Sequence, residues 1–239
     1  MTGMRIPAPG PRACLFSALR ALLCAVALST AALECSAVPF AVQVGEARLG
    51  MDAPAGFSDT TFTGSPRLQQ LAESLTSASN RVLLFALTDE DLRRFTVGDT
   101  PEAKRYLVAV TPKALEQQQL SLQAFQDFVL ESLRGLGEAA KPGSSLRKVL
   151  DASPGKLLFL DELRRDPTVV SVLVGTRLLP PEGARDQKPK YGLTTTTLLL
   201  LRGKAVQLGV YGTFDEAPDA EWMRGITARW VEELQRLNR

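Results

Sequence analysis

The chain predicts an α+β domain, an antiparallel β-sheet with helices packed on it. Three observations lead there. β-rich runs follow one another in hairpin order rather than alternating strictly with helices. Two of the longest, residues 193–201 and 205–214, are separated only by Arg202-Gly203-Lys204, which suits a tight antiparallel turn. The last segment, residues 219–237, sets Trp222, Ile226, Trp230, Val231, Leu234 and Leu237 on one helical stripe.

Taken in order, residues 42–49 alternate as a strand, and Pro54-Ala55-Gly56-Phe57 turns the chain out of it. Ser65 is the expected N-cap of a helix with Pro66 at its first position and Leu68, Leu71, Ala72 and Leu75 on its inner face. Residues 82–87 and 106–110 are apolar runs fit for buried strands. Between them Asp89, Glu90 and Asp91 mark the first turn of a short helix, where carboxylates complement the backbone dipole. A further helix begins at Ser121 and carries Leu122, Phe125, Phe128, Val129 and Leu133. Two turn-rich stretches, 141–145 and 152–155, bracket the apolar-basic segment 146–150, so a candidate seam lies near 138–155. Strands are then expected over 156–163, 168–178, 193–201 and 205–214, with a polar loop holding Pro180 and Pro181 after the second.

The first 37 residues stand apart from this pattern. Arg5, Arg12 and Arg20 precede an uninterrupted run of apolar and small residues, 21–33, the n-region and h-region of a secretory signal. As a helix that run measures about 20 Å, short of the roughly 30 Å hydrocarbon core. The expectation is a signal peptide over 1–37, cleaved near Ala37, and a single α+β domain over 38–239 that is periplasmic or secreted. An uncleaved anchor and lipidation at Cys35 are the other fates open to the leader, although Glu34 fits a lipobox poorly.

Removing the leader changes the chemistry. All three cysteines, Cys14, Cys24 and Cys35, lie within it, and the chain has no histidine. Residues 38–239 therefore lack a thiol nucleophile, a disulfide, an imidazole base and both thiolate and imidazole metal ligands. The chain has 28 basic and 26 acidic residues; without Arg5, Arg12, Arg20 and Glu34, each count falls to 25. A formally neutral body of this kind gives no reason to expect nucleic acid as a partner, and contact with a membrane is expected only through an uncleaved leader. Neither a cofactor nor a metal is implied.

Residues 49–57 (Leu-Gly-Met-Asp-Ala-Pro-Ala-Gly-Phe), the long hairpin through Gly203 and the terminal helix with Trp222 and Trp230 resemble a class of uncharacterised exported bacterial proteins and, more distantly, the PsbP and Mog1 type of α/β/α sandwich. The resemblance implies a fold and an exported location. It carries no catalytic residue across, since a fold is shared by proteins of unrelated function.

Ser145-Leu-Arg-Lys148 is a Ser-x-x-Lys tetrad like that of penicillin-interacting serine enzymes, with Lys190-Tyr191-Gly192 loosely where those enzymes have Lys-Thr-Gly. A lysine one helical turn from a serine can take its proton when burial disfavours the ammonium. No Ser-Asp-Asn element lies between, and Tyr191 replaces a small residue, so capping of a short helix by Ser144 or Ser145 is the plainer expectation. Asp161 and Glu162, adjacent on a strand, point to opposite faces. Asp89, Glu90 and Asp91 lack the glycine turn and further oxygens of a calcium loop. Asp215, Glu216, Asp219 and Glu221 suit a helix start. Residues 194–197, four threonines followed by four leucines, favour extension, with two hydroxyls facing each way. Thr194 and Thr196 are therefore candidates for a hydrogen-bonding floor, and Trp222, eight positions before Trp230, for a ring that stacks on a ligand.

The functional expectation is a non-enzymatic binding or structural protein of the bacterial cell envelope whose partner is a protein or a small molecule of that compartment. The alternative is a serine hydrolase or acyl-transferase using Ser145 and Lys148.

Overall fold

Glycine at position 45 ends the first strand sooner than the alternating pattern suggests. In the computed structural model, which describes residues 39–137, 139–141, 143–180 and 188–239, the expected strand over 42–49 is a hairpin of β1 (Phe40–Val44) and β2 (Ala47–Met51). Gly45 turns it at φ +54°, and a Cβ there would meet the Glu116 carbonyl oxygen at 2.4 Å. The leader with its cleavage position and cysteines, Glu138, Pro142 and the loop residue Pro181 lie outside the described residues.

The next strand, β3 (Phe57–Asp59), is too short to show a period and was not expected. It is followed by α1 (Pro66–Ser74), β4 (Asn80–Thr88), α2 (Asp89–Thr96), β5 (Arg105–Pro112), α3 (Leu122–Leu133) and α4 (Leu146–Asp151). Then come β6 (Leu158–Asp166), β7 (Val169–Leu178), β8 (Lys190–Leu201), β9 (Lys204–Thr213) and α5 (Ala217–Leu237). Strands β3 to β9 form one sheet in the order β3-β4-β5-β9-β8-β7-β6, every pair antiparallel. Two meanders, β3-β4-β5 and β6-β7-β8-β9, are thus joined edge to edge by β5 and β9. The stretch around 138–155 is consequently a connection within one compact unit, not a boundary: it carries α4, whose Leu150 is fully buried in the main core.

Helices cover both faces, as the α+β expectation requires. On one face α5, α4 and the β1–β2 hairpin pack over Leu84, Leu107, Leu173, Leu199 and Leu208. On the other, α1 and α2 cover Phe85, Leu87, Val108 and Val110, while α3 covers Val170 and Leu198 through Phe125 and Val129. Removing each large apolar side chain from water is worth about 1.5–3 kcal/mol, so Met223, Ile226, Trp230, Val231 and Leu234, all buried, make α5 the principal clamp of its layer. The Trp230 indole N–H is satisfied by the Asp52 carbonyl at 2.8 Å. The β8–β9 turn has two residues, Arg202 (φ +48°) and Gly203 (φ +75°), the left-handed pair that matches strand twist.

The four threonines divide as the pleat demands. Thr195 and Thr197 are fully buried under α5, where Thr195 shares a hydrogen with Thr227 (2.6 Å) and Thr197 with Ser171 (2.7 Å). Thr194 and Thr196 face the opposite way and stay half-buried.

A candidate binding cleft between α1 and the edge of β4

The brevity of β3 creates the site. β3 pairs only with Ala86, Leu87 and Thr88. Its ladder ends at Thr60, whose backbone N–H (2.8 Å) and hydroxyl (2.9 Å) both reach the Phe85 carbonyl. The chain then makes a 3-10 turn over Thr61–Thr63, closes it with Gly64 in the left-handed region (φ +60°), and starts α1 at Pro66. Ser65 occupies the N-cap as expected, but its side chain makes no capping bond. On the side that β3 has left, residues 80–84 of β4 have no strand partner among the described residues.

Helix α1 comes back against β4 through Leu68 and Ala72, both buried beside Phe85. Between the helix and the strand lies a cleft of about 740 Å³, within the range typical of ligand sites. Ser65, Gln69, Ala72, Glu73 and Thr76 line its helical wall at one-turn spacing; Val82 and Phe85 form its floor; Arg81 and Lys113 stand at one end. The wall is ordered by its own bonds. Gln69 Nε2 donates to Glu73 Oε1 at 3.0 Å, and the Thr76 hydroxyl to the Ala72 carbonyl at 3.1 Å. At the charged end Arg81 is paired with Glu116, and Lys113 Nζ donates to the Ala78 carbonyl at 2.9 Å. Beside the turn, burial raises the pKa of Asp59, against the opposing pull of Thr61, whose N–H and hydroxyl donate to Oδ1. Hydroxyls, amides, a carboxylate, a guanidinium and an ammonium around an apolar floor are groups that hold and orient a partner.

The residues singled out in the sequence lie elsewhere. Ser145 is at the N-cap position of α4 with no side-chain capping bond, which corrects the expectation that it caps. Ser145 and Lys148 are both exposed, so the burial that a Ser-Lys mechanism depends on is missing. Tyr191, in the place of the Lys-Thr-Gly threonine, is buried and donates to Asp151 at 2.8 Å. Thr194 and Thr196 pair across the sheet with Tyr211 and Gly209, and Tyr211 stacks on Tyr106 with centroids 4.5 Å apart. Trp222 is on the opposite face, under the Arg105 guanidinium at 4.1 Å and beside Phe57 at 6.2 Å. The threonines and this tryptophan therefore share no site, and Trp230 is buried.

The carboxylates behave as helix and strand chemistry predicts. Asp161 pairs with Arg224 on the α5 face and Glu162 with Arg165 on the other. Glu216 and Asp219 complete a capping box at the start of α5. Asp91 accepts from the Thr88 hydroxyl and the Glu102 N–H, while Asp89 accepts from Ser58. Among the described residues no three acidic groups converge to hold a metal ion, and no helix is long and apolar enough to cross a membrane.

Sequence reasoning missed Thr60, Gln69, Glu73, Arg81, Val82 and Lys113. The only trace of them was the polar spacing at 65, 69, 73 and 76 on α1, which any solvated helix face shows.

No protein family matches the chain, and no curated protein does. Among solved structures it is similar to a point mutant of protein Mog1, with 14% identity over 84% of this chain and 94% of that one at a TM-score of 0.39. It is also similar to the Ran-binding protein Mog1p of Saccharomyces cerevisiae, with 13% identity over 84% of this chain and 95% of that one at a TM-score of 0.38.

Proposed function

We propose that this protein is an exported binding protein of the bacterial cell envelope that works in the periplasm after losing residues 1–37. It holds its partner, without chemistry, in the cleft between α1 and β4. The cleft carries this reading: about 740 Å³ open beside a strand edge, floored by Val82 and Phe85 and rimmed by Gln69, Glu73, Thr76 and Lys113. Export is supported by the basic and apolar pattern of the leader.

The test is photo-crosslinking in cells. A benzophenone amino acid replaces Gln69 or Glu73 in the full chain, expressed with its own leader, and in parallel replaces Gln123 on α3 as a control remote from the cleft. Adducts with periplasmic or envelope components are expected from the two cleft positions only, on a polypeptide whose mass fits processing near Ala37. Equal adducts from Gln123 remove the cleft from the proposal, and recovery of the unprocessed chain in the cytosol removes export.

A further inference from the structure

Within the cleft, β4 offers a partner two different things. Its backbone between residues 81 and 84 has no strand on the β3 side among the described residues, so the N–H and C=O groups turned that way form the template that an edge strand presents to a further chain, whereas the Asn80 N–H is already given to the Ser77 carbonyl at 2.9 Å. Its side chains leave a gap. The register of β4 against β5 slips between Val82 and Leu84, and this bulge sends both Leu83 and Leu84 into the core under α5, whereas Val82 and Phe85 face α1. Two consecutive residues therefore project nothing into the cleft. What remains is an apolar slot between Val82 and Phe85, backed by Ala72. Helix α1 walls the trench on the side away from the sheet.

We propose, on the reading that this cleft is the binding site, that its occupant is an extended segment of another polypeptide. That segment adds to β4 as a strand antiparallel to it, in line with β3, and places one aliphatic side chain in the slot between Val82 and Phe85. Backbone pairing along an open edge, with pockets for alternate side chains, is a general mode of peptide capture, and the four residues 81–84 of β4 at about 3.4 Å each give a seat roughly 14 Å long. Thr60 fixes where the seat begins, because it occupies the Phe85 carbonyl twice. Glu73 and Gln69, exposed on α1, and Lys113 at the far end select among sequences by charge and hydrogen bonding. Proline is excluded wherever the guest must donate an N–H to β4.

A phage-displayed library of random heptapeptides, panned on the purified full chain, tests this. The expected yield is a set with an aliphatic residue at a fixed position and no proline beside it. The selected peptide is then resynthesised with a methyl group on each backbone nitrogen in turn. Blocking alternate nitrogens, those facing β4, is expected to weaken binding roughly tenfold each, with the intervening ones indifferent. Glu73→Trp and Gln69→Trp, both on the exposed wall, are expected to abolish binding while the circular dichroism spectrum stays unchanged. A selected peptide that binds with no alternation in the methyl scan, or that is indifferent to both tryptophan variants, overturns strand addition. So does the recovery of no peptide above background. In each case the photo-crosslinking result decides separately whether the cleft binds anything else.

Discussion

Thr60 gives both its backbone N–H and its hydroxyl to the carbonyl oxygen of Phe85, at 2.8 and 2.9 Å. One acceptor takes two donors, and with that contact the first edge strand stops three residues after it began. The cleft exists because the chain leaves β4 here rather than pairing along its whole length. Thr60 is 5% exposed, so Thr60→Val removes the hydroxyl bond at nearly constant volume while the N–H bond remains. The expected cost is about 1 kcal/mol, read as a lower urea midpoint with an unchanged slope.

At the other side of the sheet Asp219 anchors the start of α5. Burial works to raise its pKa, but the N–H groups of Asp215 and Glu216 and the Arg105 guanidinium outweigh that and hold the carboxyl below its ordinary value. A depressed folded-state pKa gives stability that is present above the unfolded value of 3.8 and is lost as pH falls through the folded one. Asp219→Asn is therefore expected to cost about 0.5–1 kcal/mol at neutral pH, and the gap to the parent protein to close in acid. A gap that stays constant through the acid range would count against this account.

The stacked pair Tyr106 and Tyr211 makes an alkaline prediction. Burial, with the neighbouring phenol adding to it, pushes Tyr106 up to about 12, and burial also raises Tyr211. Tyr191, the third of the three tyrosines, is raised by burial and by its bond to Asp151. A raised phenol stabilises the fold below the unfolded value of 10.0 and stops doing so as pH rises through the folded value. Phenolate absorbance after a rapid alkaline jump, before unfolding, is expected to show a last component near pH 12 that Tyr106→Phe removes. A full three-tyrosine signal at the ordinary pKa would contradict the buried stack.

Ser145 and Lys148 are expected to be inert. Both are exposed on the short helix α4, so incubation of the protein with a fluorophosphonate should leave its intact mass unchanged. Covalent labelling that disappears in Ser145→Ala would restore the serine-enzyme alternative.

What could be read from the sequence was local. The β8–β9 hairpin was visible because Arg202-Gly203 is a two-residue turn between long β-rich runs, and α3 because Ser121 caps it by accepting from the Ala124 N–H. The opposite facing of Asp161 and Glu162, and the division of the four threonines, followed from the two-residue period of a strand. Long-range features were hidden. Nothing in 105–112 or 204–213 tells that β5 and β9 pair, since many apolar strands are equally compatible at that distance. Gly45 divided one alternating run into two strands, and β3 has too few residues to carry a period. The cleft was beyond sequence reasoning because it is defined by where a strand ends and by the bulge at Leu83 and Leu84, both consequences of pairing.

The account rests on β4 accepting a guest along its free edge, and amide hydrogen exchange at residue resolution measures this directly. With the peptide selected on the full chain in saturating amount, the edge-facing amides between Arg81 and Phe85 should slow by roughly tenfold or more, as new strand hydrogen bonds require, while those of β6 at the other edge of the sheet do not change. Peptide binding that protects β6 or α3 and leaves β4 exchanging at its free rate would contradict the account.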